Sequence, residues 1–209
     1  MTLEELKSPY IKAATRAVHL MAAMEAKHYK VFIKGDYNLN IVGVRSYDRE
    51  CDTFNDALFC FYSVGKYMYF HSWSITTDPG LYWLMNPSKV TGTAVLVPGQ
   101  YRGVYRIDKH RGKYYALCQR YGAVKVFRDA NKDIIIDRLP DSTEEGLFGI
   151  NIHKAGWFSR WVGKWSAGCQ VFQRSRDFNK FMKICKEAEF EWGNKFTYTL
   201  LEEEDLKIA

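Results

Sequence analysis

The sequence predicts a mainly β protein of the α+β class, with one helix near the N-terminus and one in the C-terminal half. Short runs of β-branched and aromatic residues recur after residue 40, glycine and proline separate many of them, and two other stretches have apolar residues at helical spacing. An apolar content of 47% in 209 residues is enough for a packed core. We divide the chain into a helical extension over residues 1–35 and a β-rich domain over residues 36–209.

The first predicted element is an amphipathic helix over residues 9–28, with Ser8 as its N-cap and Pro9 in its first turn. We expect this helix to pack on the main domain. Binding to a membrane surface is the alternative, which the weakly basic polar face does not favour. The apolar positions at helical spacing are Ile11, Ala14, Ala17, Val18, Met21 and Met24.

A series of β-rich runs follows from residue 40, and each predicts a strand. Gly65 and Lys66 indicate a hairpin turn, and residues 76–80 (TTDPG) indicate a turn by composition. The predicted strands cover residues 41–44, 57–62, 67–73, 93–97, 103–107, 114–119, 124–127 and 196–201.

The C-terminal half contains the second predicted helix, over residues 176–188, with Ser175 as a candidate cap. The acidic run at residues 202–205 indicates a solvated tail. The predicted buried face of the helix consists of Phe178, Phe181, Met182 and Cys185.

The chain is basic, with a formal net charge of +6 and a pI near 9.0, which predicts attraction to an acidic partner. Nucleic acid, an anionic membrane and an anionic cell wall all meet that description. The basic residues are scattered and no nucleic-acid-binding motif is present, so we expect no nucleic-acid partner. No cofactor-binding motif appears either, and no cofactor is predicted.

The five cysteines are an odd number without a CxxC pair, which argues against a disulfide framework and favours synthesis in a reducing compartment. No apolar stretch approaches the roughly 18 residues that a membrane-spanning helix requires. The N-terminus lacks the basic patch and apolar core of a signal peptide. We therefore expect synthesis in the cytoplasm and no stable insertion into a membrane.

The segment from Phe148 to Phe172 carries the candidate chemistry. An apolar run delivers His153, and Cys169 follows after an aromatic and basic loop. A cysteine nucleophile needs a base for its proton and backbone donors for the oxyanion, and the N–H groups near Gly168 and Cys169 are candidates for the second role. The alternative is that Cys169 is a small buried hydrophobe and His153 a residue at the end of a strand.

Residues 148–172 resemble the signature of the L,D-transpeptidase (YkuD-like) catalytic-domain family, in which a histidine is followed, after a mid-length loop, by Ser/Thr-His-Gly-Cys. Here His153 precedes SAGC at residues 166–169, with Ala167 where the family has histidine. The segments at residues 76–80, 149–153 and 165–172 are similar to those of phage-encoded lysis proteins with this kind of domain. The resemblance extends over about residues 40–201.

This resemblance implies a β-sandwich or barrel of the L,D-transpeptidase type, acting on peptidoglycan stem peptides through a Cys169 thioester. It also implies an endolysin-like role at the bacterial cell wall, with a holin-type partner that opens the membrane. The catalytic set it implies is Cys169, His153, Ser166 and Gly168, and the substrate-binding set is Thr77, Asp78, Trp157, Trp165 and Gln170. The sequence is equally compatible with two arrangements of Trp157, Trp161 and Trp165. The three rings form an aromatic lid over the substrate, or they pack the loop against the protein.

Two other classes of function remain open at this point. The chain is also compatible with an inactive virion structural or cell-wall-binding protein of the same fold, which Ala167 and Gln170 favour. A cysteine peptidase or amidase with another substrate is the second alternative.

Two further motifs are expected to be structural. Asp129, Asn131 and Asp133 resemble the start of a calcium loop, but Ile134 replaces the required glycine and Pro140 the final glutamate. An Asx-rich turn is the prediction there, with a weak cation site as the alternative. His110 lies in the basic stretch KHRG, which predicts a solvated turn.

Overall fold

The computed structural model describes residues 1–207 and is mainly β, which confirms the predicted class. Eight strands close into a barrel, and three more form a second sheet. The strands are β1 (Asn40–Arg45), β2 (Asp56–Val64), β3 (Tyr67–Thr76), β4 (Thr93–Leu96), β5 (Gly99–His110), β6 (Tyr114–Gln119), β7 (Val124–Asp129), β8 (Thr143–Gly146), β9 (Ile152–Lys154), β10 (Gln170–Phe172) and β11 (Phe196–Glu202). The α-helices are α1 (Leu3–Lys7), α2 (Ala13–Ala26), α3 (Leu81–Met85) and α4 (Ser175–Trp192), and short 3₁₀ helices cover Pro140–Ser142 and Glu203–Lys207.

The barrel order is β1-β11-β5-β6-β9-β10-β3-β2, and antiparallel pairing of β2 with β1 closes it. β2 and β3 form the hairpin predicted around Gly65 and Lys66. β9 and β10 are parallel, so the chain between them must cross from one end of the pair to the other. That crossing segment carries the tryptophan-rich loop and ends at Cys169.

One core cluster lies between the barrel strands and α4. The helix buries its predicted face, and Phe181 and Phe178 approach Phe172 of β10 with ring centroids 5.2 and 5.6 Å apart. The predicted Ser175 cap is wrong, because the Ser175 hydroxyl donates to the Gly156 carbonyl at 2.6 Å. This bond instead ties the start of α4 to the loop that precedes it.

A second core cluster lies between α1, α2 and the strands β1 to β3. The predicted helix start at Pro9 is wrong: Thr2 and Glu5 form a capping box that starts α1, and Ser8 ends that helix. α2 then begins at Ala13.

The predicted contact face of α2 is only partly right. Ala17 and Met24 are buried, but Val18 is 59% exposed. Arg16 turns inward instead, with its guanidinium 4.4 Å from the Phe70 ring centroid and a hydrogen bond to the Leu6 carbonyl. The cation–π contact and the carbonyl partner compensate for burial of the Arg16 charge, so Arg16 rather than Val18 faces the barrel.

The predicted solvated tail at residues 202–205 is also wrong. Asp205 is buried and pairs with Lys27 of α2 at 2.9 Å, and its other oxygen accepts from the Glu202 amide. The segment at residues 202–205 is thus fixed to the end of α2 by a contact between residues that are far apart in sequence.

The second sheet has the order β4-β7-β8. α3, which the sequence did not predict, contributes Leu84 to a small core with Val95 and Ile136. Within residues 1–207, every helix is too short or too polar to cross a membrane.

Candidate active site

The two predicted catalytic residues lie at the neighbouring strands β9 and β10, two register positions apart. In the parallel register His153 pairs with Val171, and Cys169 immediately precedes β10 beside Asn151. The Asn151 amide donates to the Cys169 sulfur at 3.4 Å, and the thiol donates to the Gly149 carbonyl at 3.4 Å. Within residues 1–207 no hydrogen bond joins the thiol to the His153 ring.

The His153 imidazole is buried and has a defined orientation. Its Nδ1 lies 2.9 Å from the Lys154 carbonyl oxygen, and the Tyr114 hydroxyl is 3.4 Å from the same nitrogen. A carbonyl only accepts, so Nδ1 carries the proton and Nε2 is the free basic nitrogen. Burial, assisted by the nearby His110, lowers the pKa of His153 to about 3. The ring is therefore neutral at physiological pH.

His110 belongs to this site, so its predicted place in a solvated turn is wrong, although the exposed turn itself is present at residues 111–113. β5 extends to His110, whose ring is buried and stacks on His153 with centroids 4.1 Å apart and an interplanar angle of 23°. The Asn151 side-chain amide donates to His110 Nδ1 at 3.1 Å, so the His110 proton lies on Nε2. Burial lowers the pKa of His110, and Arg111 and Arg120 lower it further.

Cys169 is partly exposed, whereas Cys60, Cys118 and Cys185 are buried. Burial of its sulfur raises the pKa of Cys169 to about 11. The resting site therefore contains a neutral thiol beside a neutral imidazole, not a thiolate–imidazolium pair.

Ser166 and Gly168 shape the loop that presents the thiol. The buried Ser166 hydroxyl donates to the Cys169 carbonyl at 2.8 Å and accepts from the Gly168 amide at 3.2 Å. Gly168 has φ +111°, and a Cβ there would collide with the Ala94 carbonyl oxygen. Since the Gly168 amide is already bonded, the predicted oxyanion donor there is occupied. Within residues 1–207 the Cys169 amide donates to no group and is the one available.

Gln119 is a site residue that the sequence reasoning missed. Its side-chain oxygen accepts from the amides of Phe148, Gly149 and Ile150 at 3.2, 2.9 and 3.1 Å. Its side-chain nitrogen donates to the Gly122 and Gly146 carbonyls at 3.0 and 2.9 Å. One glutamine thus fixes the chain that leads into Asn151 and His153, and no local sequence pattern marks such a contact.

Gln170 does not face a substrate site in this structure. It is fully buried, its side-chain oxygen accepts from the Tyr198 hydroxyl at 2.8 Å, and its nitrogen lies 3.3 Å from the Gly168 carbonyl. Gln170 therefore supports the Gly168–Cys169 turn from inside the barrel, where the sequence predicts that it binds substrate.

Thr77 and Asp78 are also buried, so neither side chain faces a substrate site, contrary to the prediction. Asp78 pairs with Arg45 at 3.2 Å and with Arg138 at 3.0 Å. The Thr77 hydroxyl accepts from Arg45 at 2.8 Å and donates to Asp56 at 2.8 Å. Burial and the Asp78 charge raise the pKa of Asp56. These groups form a buried ionic network that anchors the end of β3.

The loop tryptophans differ in exposure, and the Trp165 ring lies close to Gly156 of the same loop. Trp157 is 87% exposed, Trp161 57% and Trp165 47%. The loop itself is fixed by its backbone: the Ser175 amide donates to the Trp157 carbonyl at 3.2 Å. Trp157 is the most exposed of the three rings, whereas Arg160 lies over the Trp161 ring at 5.1 Å.

The Asp129 loop is an Asx-rich turn, as predicted. The Asp133 amide donates to the Asn131 side-chain oxygen, and the Ile135 amide donates to Asp133. The Asn131 side-chain nitrogen lies between Asp133 and Asp137 and donates to both carboxylates. In the described part of the chain, no group of three or more histidine, cysteine or acidic side chains is arranged to hold a metal ion.

No protein-family model matches this chain, and a search of curated proteins likewise finds no match.

Proposed function

We propose that the chain is a cysteine-dependent acyl-transfer enzyme that cleaves or exchanges peptide bonds in peptidoglycan stem peptides. The supporting observation is the placement of a partly exposed Cys169 next to the strand that carries His153, whose Nδ1 is held by a backbone carbonyl so that Nε2 is the free base. The choice of stem peptides rests on the resemblance of residues 148–172 to L,D-transpeptidase domains.

In the proposed reaction the Cys169 thiol rotates from the Gly149 carbonyl toward His153 Nε2. Because the pKa values of the two groups keep both neutral at rest, the proton moves to Nε2 as the sulfur attacks the scissile carbonyl carbon. The imidazolium then protonates the leaving amine, and a thioester remains on Cys169. Water releases an acid product, whereas an amine of a second stem forms a new cross-link.

The remaining site residues act by positioning the reacting groups. The free Cys169 amide is the candidate oxyanion donor, and Ser166 and Gly168 hold the turn that directs it. His110 covers one face of the His153 ring, and Asn151 bonds both His110 and the Cys169 sulfur. Exposed Trp157 and Trp165 are candidates for contact with the stem or its glycan.

The biological role that we propose is that of a phage-encoded, endolysin-like protein that reaches the cell wall with the help of a holin-type partner. This part of the proposal depends on the resemblance of three segments to phage lysis proteins. An inactive wall-binding or virion protein is the competing function, and the hydrogen bond of the thiol to the Gly149 carbonyl at rest is the observation that favours it.

The test is digestion of purified peptidoglycan and defined muropeptides, with products identified by mass spectrometry. We expect the wild-type protein to release or exchange stem peptides, Cys169→Ala to give no product, and His153→Gln to be at least about a hundredfold slower. Cleavage of denatured protein but not of any wall substrate would assign a different peptidase. Equal product from wild type and Cys169→Ala would exclude the thioester route.

A further inference from the structure

A groove runs between the exposed Trp157 and the first turns of α4. It encloses about 340 Å³ and is lined, besides the tryptophan, only by polar and cationic side chains. We name it the Trp157 groove and define it by Trp157, Ser175, Arg176, Asn179, Lys180 and Lys183. Nothing in the proposed reaction at Cys169 uses these α4 residues.

The three cations of the groove are available to a ligand. Arg176, Lys180 and Lys183 follow one another at helical spacing and are all exposed. Within residues 1–207 none of them forms an ion pair. The cations that do form ion pairs are Lys7, Lys27, Arg45, Arg120, Arg128 and Arg138.

The groove also lies at the positive end of the α4 dipole, which adds to the potential of the cations. Asp177 is in the same first turn but does not line the groove. A planar guanidinium and two ammonium groups match phosphate oxygens in charge and hydrogen-bonding capacity. The chemistry therefore favours a ligand with phosphate groups.

The groove is rigid on its aromatic side. The Trp157 carbonyl accepts from the Ser175 amide, the Ser175 hydroxyl donates to Gly156, and Phe158 forms a β-bridge with Arg174. These contacts hold the backbone of residues 156–158 beside the start of α4, so ordering of this loop adds little entropic cost on binding.

We propose that the Trp157 groove binds a phosphodiester polymer with a polyol backbone, of the poly(glycerol phosphate) kind found in bacterial walls. The cations take the phosphates and the Trp157 face packs against one polyol unit. The choice of a wall polymer rests on the proposed function at the cell wall, whereas the groove's preference for phosphate does not. Binding there holds the wall beside the loop that carries Cys169.

Two other polyanions fit the groove less well. Single-stranded nucleic acid favours successive open aromatic faces, but Arg174 and Arg160 already cover the neighbouring Phe158 and Trp161 rings at 5.3 and 5.1 Å. A membrane surface requires an apolar face to bury, and Trp157 is the one apolar residue of this groove.

The test measures binding of a fluorescent poly(glycerol phosphate) oligomer by anisotropy at fixed ionic strength, using Cys169→Ala so that no turnover intervenes. The groove variant is Lys180→Gln/Lys183→Gln, and the matched control is Lys12→Gln/Lys34→Gln, which removes the same charge at exposed positions outside the groove. We expect the groove variant to bind about tenfold more weakly or worse, and the control to change affinity by less than about twofold. Trp157→Ala, which leaves the charge unchanged, is expected to weaken binding as well.

An equal loss in the two double variants would show attraction by net charge alone and overturn the proposal. Tighter, groove-dependent binding of single-stranded DNA would assign the groove to nucleic acid, and groove-dependent binding to anionic vesicles alone would assign it to a membrane. Because binding is measured without Cys169, its failure leaves the proposed acyl transfer standing. Failure of the muropeptide digestion in turn leaves a groove-dependent affinity intact.

Discussion

At the scale of single residues, the candidate nucleophile and base are both neutral at rest. Burial raises the pKa of Cys169 to about 11 and lowers that of His153 to about 3. A thiol in this state resists oxidation and indiscriminate alkylation, since the thiolate is the reactive form. In the proposed reaction, proton transfer from the thiol is therefore coupled to its attack on the substrate.

Alkylation of Cys169 tests this protonation state directly. Iodoacetamide labelling, followed by peptide mass spectrometry between pH 6 and 9.5, is expected to accelerate about tenfold per pH unit without a plateau, because the thiolate fraction rises throughout that range. His153→Gln is expected to leave the rate at pH 9 unchanged. A plateau at or below pH 7 that His153→Gln abolishes would instead demonstrate a thiolate–imidazolium pair.

The stacked His110 provides a second prediction at this scale. His110→Ala removes the ring that covers His153, so the pKa of His153 should rise toward its ordinary value and the turnover of muropeptides should fall about tenfold. His110→Phe keeps a planar ring at the same place and is the matched control, with a pKa of His153 close to that of the wild type. NMR titration of the His153 ring measures the shift independently of activity. Identical titrations in the two variants would contradict a positioning role.

At the scale of elements, the turn between the crossing loop and β10 determines where the thiol lies. Gly168 and Gly149 both have positive φ, at +111° and +71°, but only at Gly168 would a Cβ collide with backbone. We expect Gly149→Ala to cost about 1 kcal/mol of unfolding free energy from backbone strain alone. Gly168→Ala adds a steric clash and should cost about 2–4 kcal/mol in all. Urea unfolding of both variants measures the difference, and equal losses would contradict the geometry of the turn.

Most strands were predictable because their alternation and turn residues are local signals. The hairpin at Gly65 and the buried face of α4 are examples. The start of α2 was not predictable, because the Thr2 capping box creates an earlier helix that the apolar pattern does not reveal. Asp205 was read as a tail residue because its partner, Lys27, is at the other end of the chain.

At the scale of the whole molecule, barrel closure brings together residues that no local pattern connects. Cys169 and His153 were predictable because a short motif contains both. His110 and Gln119 lie on β5 and β6 and meet the motif only because β6 pairs with β9. Thr77, Asp78 and Gln170 resemble binding residues by position in a motif, but long-range hydrogen bonds make them internal supports.

The most direct test of the central claim is intact-protein mass spectrometry after brief incubation with a defined stem-peptide muropeptide and an acid quench, which preserves thioesters. The wild-type protein should gain the mass of the acyl portion of the stem, located on the peptide that contains Cys169, and Cys169→Ala should gain nothing. An absence of any adduct on Cys169 with every stem peptide tested, or an adduct that persists in Cys169→Ala, would contradict the proposed thioester mechanism.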